Sequence, residues 1–162
     1  MEQFGNGFMT YFVLLRDLLG GQGYPLLFVV SFLASTLLPV GSELLLSGML
    51  LAGYNPVNTV AVATIGNSLG ACTTWLIGRY GGQWMISRLF RISETQQQRA
   101  ERWYARYGEY SLLLSWLPVV GDPLCLVGGL LKVRFWVFLV LVGSGKLARY
   151  AVLAWLTLQA GG

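Results

Sequence analysis

Four charged side chains stand where water should be scarce. Glu43, Asp122, Lys146 and Arg149 each interrupt a long apolar run. A charge at the centre of a bilayer costs roughly 2.5 to 3.5 kcal/mol on insertion scales, so charges kept there are expected to be functional. The two carboxylates could exchange protons or otherwise couple charge. The guanidinium of Arg149 could hold a phosphate through two parallel hydrogen bonds, and the ammonium of Lys146 could add a point charge to the same anion. A purely structural reading stands beside this one. The acids could cap broken helices, where a carboxylate at a helix N-terminus is favourable, and two acids would neutralise two cations. A third reading, an acid pair acting as an intramembrane protease, needs like charges about 3 Å apart that share a proton. The neighbouring cations oppose that arrangement and no nucleophile–base set is present, so no enzymatic activity is expected. Nor is a cofactor or metal. Histidine is absent, and the two cysteines, Cys72 and Cys125, lie in apolar runs with no ligand spacing, where they read as small buried hydrophobes.

The acids belong to a repeated motif. Leu38-Pro39-Val40-Gly41-Ser42-Glu43 recurs 79 positions later as Leu117-Pro118-Val119-Val120-Gly121-Asp122. The offset extends without gaps. Leu45 matches Leu124, Gly66 matches Gly145, and Asn67 matches Lys146. Asn67 is therefore expected in the same polar layer as Lys146, as a hydrogen-bond partner.

The elements that must position these residues follow from hydropathy and breakers. Residues 1–24 read as a helix lying in the membrane interface or as a short tilted span. Residues 25–54 are uncharged except for Glu43 and are broken at Pro39. Each half is too short to cross alone, which predicts a re-entrant hairpin. Residues 57–78 predict a span, with Gly66 and Gly70 four apart as a close-packing face. Residues 79–109 are rich in arginine, and Ser93 with Gln96 suggests a capping box. Ala100, Trp103, Tyr104 and Tyr107 follow helical spacing there, so an amphipathic surface helix is expected. Residues 110–131 predict a second hairpin, broken at Pro118 and Pro123, and residues 135–158 a second span. One span between two hairpins makes them enter from opposite faces, an inverted repeat of the kind that builds midplane sites in transporters.

Charged residues make up 11% of the 162 residues, against about 25% in an ordinary soluble domain. So few charges cannot clothe a water-facing surface. An all-α integral membrane protein with one domain over residues 25–158 is the expected class. The net charge of +4 reads as arginine gathered on the cytoplasmic side, in segment 79–109, rather than as a nucleic-acid surface. Arg79 and the arginines from Arg88 to Arg106 read as topology signals and contacts to anionic lipid. Trp103, Tyr104, Tyr107 and Trp116 read as interfacial anchors. The start of the chain lacks a basic n-region, so no cleaved signal peptide is read. Expected partners are membrane lipids and a second copy of the chain, without nucleic acid.

These residues resemble the DedA family, also called the VTT or SNARE-associated Golgi protein family, and within it a short YqaA-like branch. Pro39 and Glu43 match the proline and glutamate that end the family's first element. Gly66, Gly70, Trp75, Gly78, Arg79 and Gly82 match its glycine-spaced span with an aromatic-x-x-Gly-Arg end. Trp116, Leu117 and Pro118 match its second hairpin. The resemblance covers roughly residues 25–158. It implies two opposed re-entrant hairpins in a bacterial inner membrane. For some members it implies movement of undecaprenyl phosphate or phospholipid across the bilayer, coupled to protons. Many members carry arginines three before and three after the second proline; here Ser115 and Gly121 stand at those positions. The function expected is flippase- or scramblase-like translocation of a phosphate-bearing lipid, the alternative a non-transporting membrane-homeostasis factor with a structural charged layer.

Overall fold

A computed structural model describes residues 22–35, 41–81, 94–117 and 120–161. They form helices α1 (Gly23–Ala34), α2 (Gly41–Leu51), α3 (Pro56–Tyr80) and α4 (Glu94–Tyr107), a 3-10 segment (Gly108–Trp116), and helices α5 (Gly121–Leu130) and α6 (Phe135–Gly161). No strand occurs among the described residues. The helices α3 and α6 are each long and apolar enough to cross a bilayer. Pro39, Pro118, Gly82, Ser93 and residues 1–21 lie outside the described residues. Pro123 does not break the chain as expected. It occupies the first turn of α5, where an amide has no intrahelical acceptor and its loss removes no bond.

Helix ends are set by local chemistry. Asn55 caps α3 by accepting the Asn58 amide at 3.1 Å, and Pro56 follows at the first helical position, where its fixed φ is preorganised. Gly53, at φ +84°, ends α2 in the left-handed region, and Tyr54 N–H closes back on the Met49 carbonyl at 3.0 Å. The same closure ends α5. Lys132 stands there at φ +55°, and Val133 N–H reaches the Gly128 carbonyl at 3.0 Å. Gly53 and Lys132, Tyr54 and Val133, Met49 and Gly128 are all repeat mates, so the offset seen in sequence recurs in backbone hydrogen bonds.

Packing follows the same offset. Helix α1 lies on α3 as the 3-10 segment lies on α6; α2 packs on α6 as α5 packs on α3; and α3 packs on α6. Close approach depends on absent side chains. A Cβ on Gly66 or Gly70 would stand 2.6 or 2.5 Å from the carbonyl oxygens of Phe28 and Phe32 on α1. Gly78 of α3 and Gly129 of α5 oppose each other backbone to backbone.

Among the described residues, two apolar clusters form the core. One joins Leu27, Leu46, Met49, Leu50, Ala63, Tyr150 and Ala154. The other gathers Ala71, Trp75, Leu112, Leu124, Val127, Phe138 and Val142 with their neighbours. Helix α3 runs from the first cluster to the second and α6 runs back, so the two are antiparallel. Asn67 on α3 and Lys146 on α6 fall between the clusters. Helix α1 starts in the first cluster and reaches the intermediate layer at Ser35; α2 leaves that layer at Ser42 and returns to the same cluster. The 3-10 segment and α5 do the same from the second cluster, with Ser115 and Asp122 at the layer. Outside, large apolar side chains face away from the protein. Val57 is 76% exposed and Trp136 73%, a surface suited to lipid rather than water.

Candidate functional site

The layer between the clusters is built from helix starts, one helix end and two mid-helix faces. Glu43 and Asp122 lie in the first turns of α2 and α5, where unsatisfied amides favour a carboxylate. On α6, Lys146, Arg149 and Tyr150 follow i, i+3, i+4 spacing and share one face. Helix α3 brings Asn67, and the end of α1 brings Ser35.

Lys146 is the most deeply placed cation among the described residues, 4% exposed. Its ammonium donates to Ser35 Oγ at 3.2 Å and to Asn67 Oδ1. The bond to Asn67 joins residues 79 apart, the repeat mates of the two spans. Asn67 Nδ2 donates onward to the Tyr150 hydroxyl at 2.5 Å, and that hydroxyl lies 2.9 Å from Ser42 Oγ. The Tyr150 hydroxyl therefore bridges Asn67 and Ser42. The run Ser35–Lys146–Asn67–Tyr150–Ser42 thus stitches α1, α6, α3 and α2 together.

Arg149 forms a separate arrangement one turn further. Its Nη2 pairs with Glu43 Oε1, and its Nη1 donates to the Trp116 carbonyl at 2.9 Å. One guanidinium therefore ties α2 of the first half to the 3-10 segment of the second. Asp122 makes no direct ion pair with Lys146 or Arg149 among the described residues, so the expected balance of two acids against two cations is half direct and half through space.

Two cavities meet at Arg149. A small one, about 20 Å³, is lined by Ser35, Ser42, Asn67, Ser115, Asp122, Lys146 and Arg149 among others; it has room for about one water. A larger one, about 580 Å³, is walled by Leu113, Trp116, Ala148, Val152, Leu153 and Leu156, with Glu43 and Arg149 as its charged members. That volume is within the range of small-molecule sites. Arg149 lines both. The arrangement can present a guanidinium to an anion whose apolar body lies in the larger cavity, while polar hydrogen-bonding groups stand behind.

Of the residues singled out from sequence, Glu43, Asp122, Lys146, Arg149 and Asn67 gather in this layer. Gly66 and Gly70 serve the α1–α3 contact beside it, and Pro39 and Pro118 lie outside the described residues. Tyr150, Ser35 and Ser42 were not singled out. A signal for Tyr150 was present, because its spacing from Lys146 places it on the same helix face. Nothing local marks Ser35, whose partner is 111 positions away.

A family model described as VTT domain matches residues 25–158. Inner membrane protein YqaA of Escherichia coli (strain K12) is 42% identical over 136 residues, 82% of this chain and 89% of that protein. A protein of Haemophilus influenzae is 35% identical over 139 residues, 81% of this chain and 85% of its own length. The membrane protein YbfM of Bacillus subtilis (strain 168) is 27% identical over 130 residues, 74% of this chain and 78% of that protein. No solved structure matches the chain.

Proposed function

The chain belongs to the VTT domain (DedA) family of membrane proteins, and we propose that it moves a phosphate-bearing lipid, such as undecaprenyl phosphate or a phospholipid, across the inner membrane. The observation that carries this reading is the position of Arg149. It lies where a 580 Å³ apolar cavity meets a polar one, and its present partner is a carboxylate that an incoming phosphate could replace. Lipid tails would occupy the apolar cavity. The phosphate would take the guanidinium from Glu43, and Glu43 would be free to pick up a proton, with Asp122 as the second exchanging group. Lys146 adds positive potential from behind.

Topology supports the reading. Each hairpin leaves one apolar cluster, reaches the polar layer and returns to the same cluster, as opposed re-entrant hairpins would. The repeat mates Asn67 and Lys146 meet at the centre, as an inverted two-fold repeat would have them do. Ser115 and Gly121, the positions where many DedA members carry arginine, both line the polar cavity that Lys146 and Arg149 enter. The cations of α6 would thus take the place of hairpin arginines. We place segment 79–109 in the cytoplasm by its arginines, regard the chain as a transporter rather than an enzyme, and include a second copy among its partners.

A second reading has its own observation. Lys146 already has two hydrogen-bond partners and Arg149 an ion pair and a carbonyl, so the layer could serve only to hold the halves together in a non-transporting factor. Translocation of a fluorescent phosphate-bearing lipid by the purified protein in proteoliposomes separates the two. Faster movement than in protein-free liposomes supports transport. Rates equal to protein-free liposomes contradict it.

A further inference from the structure

A second, differently built site lies away from the polar layer. The groove lined by Arg99, Arg102, Trp103, Arg106, Tyr107 and Leu114 encloses about 620 Å³. Its α4 residues advance by threes and fours, so they share one helix face. The three arginines are exposed, and among the described residues no carboxylate lines the groove. Arg102 Nε donates to the Gln98 carbonyl at 3.3 Å, and the Arg106 guanidinium lies 5.6 Å from the Tyr107 ring centroid. A guanidinium has five N–H donors, and among the described residues Arg102 uses its Nε–H on Gln98.

Helix α4 packs against α5 and the 3-10 segment. Buried Tyr104 of α4 packs over Gly128 of α5, where an added Cβ would stand 2.6 Å from its hydroxyl. Burial pushes the Tyr104 phenol well above its ordinary pKa, so it stays neutral in this contact. Leu114 comes from the 3-10 segment, whose Leu113 and Trp116 face the intramembrane cavity. The lining joins three cations to two aromatic rings and Leu114, and Trp103 and Leu114 pack against the second apolar cluster, the groups met on passing from headgroups to acyl chains. An acidic protein segment would match the cations but not Leu114.

We propose that this groove binds the headgroup of an anionic phospholipid, with Arg99, Arg102 and Arg106 around the phosphate and Trp103, Tyr107 and Leu114 against the glycerol and first methylenes. The site does not depend on the chain being a transporter. Native mass spectrometry of the full chain in detergent tests it, with short-chain phosphatidylglycerol and phosphatidylcholine of equal chain length as probes. Phosphatidylglycerol should be retained more tightly than phosphatidylcholine, and each arginine replaced by glutamine should weaken retention about fivefold. The triple variant Arg99→Gln, Arg102→Gln, Arg106→Gln should lose the preference, whereas Arg149→Ala should keep it. Should the triple variant fail to fold, Arg106→Gln alone still gives the predicted weakening. Equal retention of the two lipids, unchanged retention by the arginine variants, or loss of the preference in Arg149→Ala would overturn the assignment. Displacement of phosphatidylglycerol by inorganic phosphate alone would instead make it a site for soluble phosphate. Binding of a glutamate-rich peptide without binding of phosphatidylglycerol would make it a protein-docking surface.

Discussion

Lys146 is a buried cation, and its partners are Ser35 and Asn67. Asn67 supplies a carbonyl oxygen to it and an amide proton to Tyr150. Replacing Asn67 with leucine, similar in size, removes both. Lys146 then keeps only Ser35, and the loss of a hydrogen bond to a buried charge costs about 2–3 kcal/mol. Chemical or thermal unfolding in detergent should register that loss, and Asn67→Asp should cost less because it keeps an acceptor. The Asn67–Lys146 pairing was legible from the 79-residue offset alone, because the register put both at the same depth. The Glu43–Arg149 pair was legible only as a charge count. Which acid pairs with which cation depends on helix rotation, which hydropathy does not encode. Ser35 and Ser42 were illegible because a serine in an apolar run looks alike whether it faces lipid or a lysine.

At the scale of elements, the long helices α3 and α6 were readable because each is an extended apolar run. The 3-10 form of the segment before α5 was not, since its residues carry no period distinct from an α-helix. The breaker at Pro123 was misjudged because proline is harmless in a first turn. Two close contacts make sharp predictions. Gly78 and Gly129 meet backbone to backbone, so Gly129→Val should destabilise by about 1–3 kcal/mol through overpacking. Lys132 ends α5 in the left-handed conformation that its repeat mate Gly53 adopts. Lys132→Gly should therefore stabilise by up to about 1 kcal/mol, with no effect on the polar layer because Lys132 is exposed. Unfolding midpoints of the two variants should move in opposite directions. Gly121 bears on a departure from the DedA pattern: an added Cβ there would collide with the Ser115 carbonyl, so an arginine does not fit as the 3-10 segment and α5 are packed.

For the whole molecule, two apolar clusters flank one polar layer, and an apolar cavity opens onto that layer at Arg149. Transport requires the guanidinium to do more than hold α2 to the 3-10 segment. Lipid translocation by Arg149→Ala, reconstituted at the same density as the unaltered protein and checked for equal helicity and elution, tests this most directly. Movement of a fluorescent phosphate-bearing lipid should fall to the rate of protein-free liposomes, and Glu43→Ala and Asp122→Ala should fall with it. Undiminished movement in folded Arg149→Ala would contradict the account and leave the charged layer a structural one.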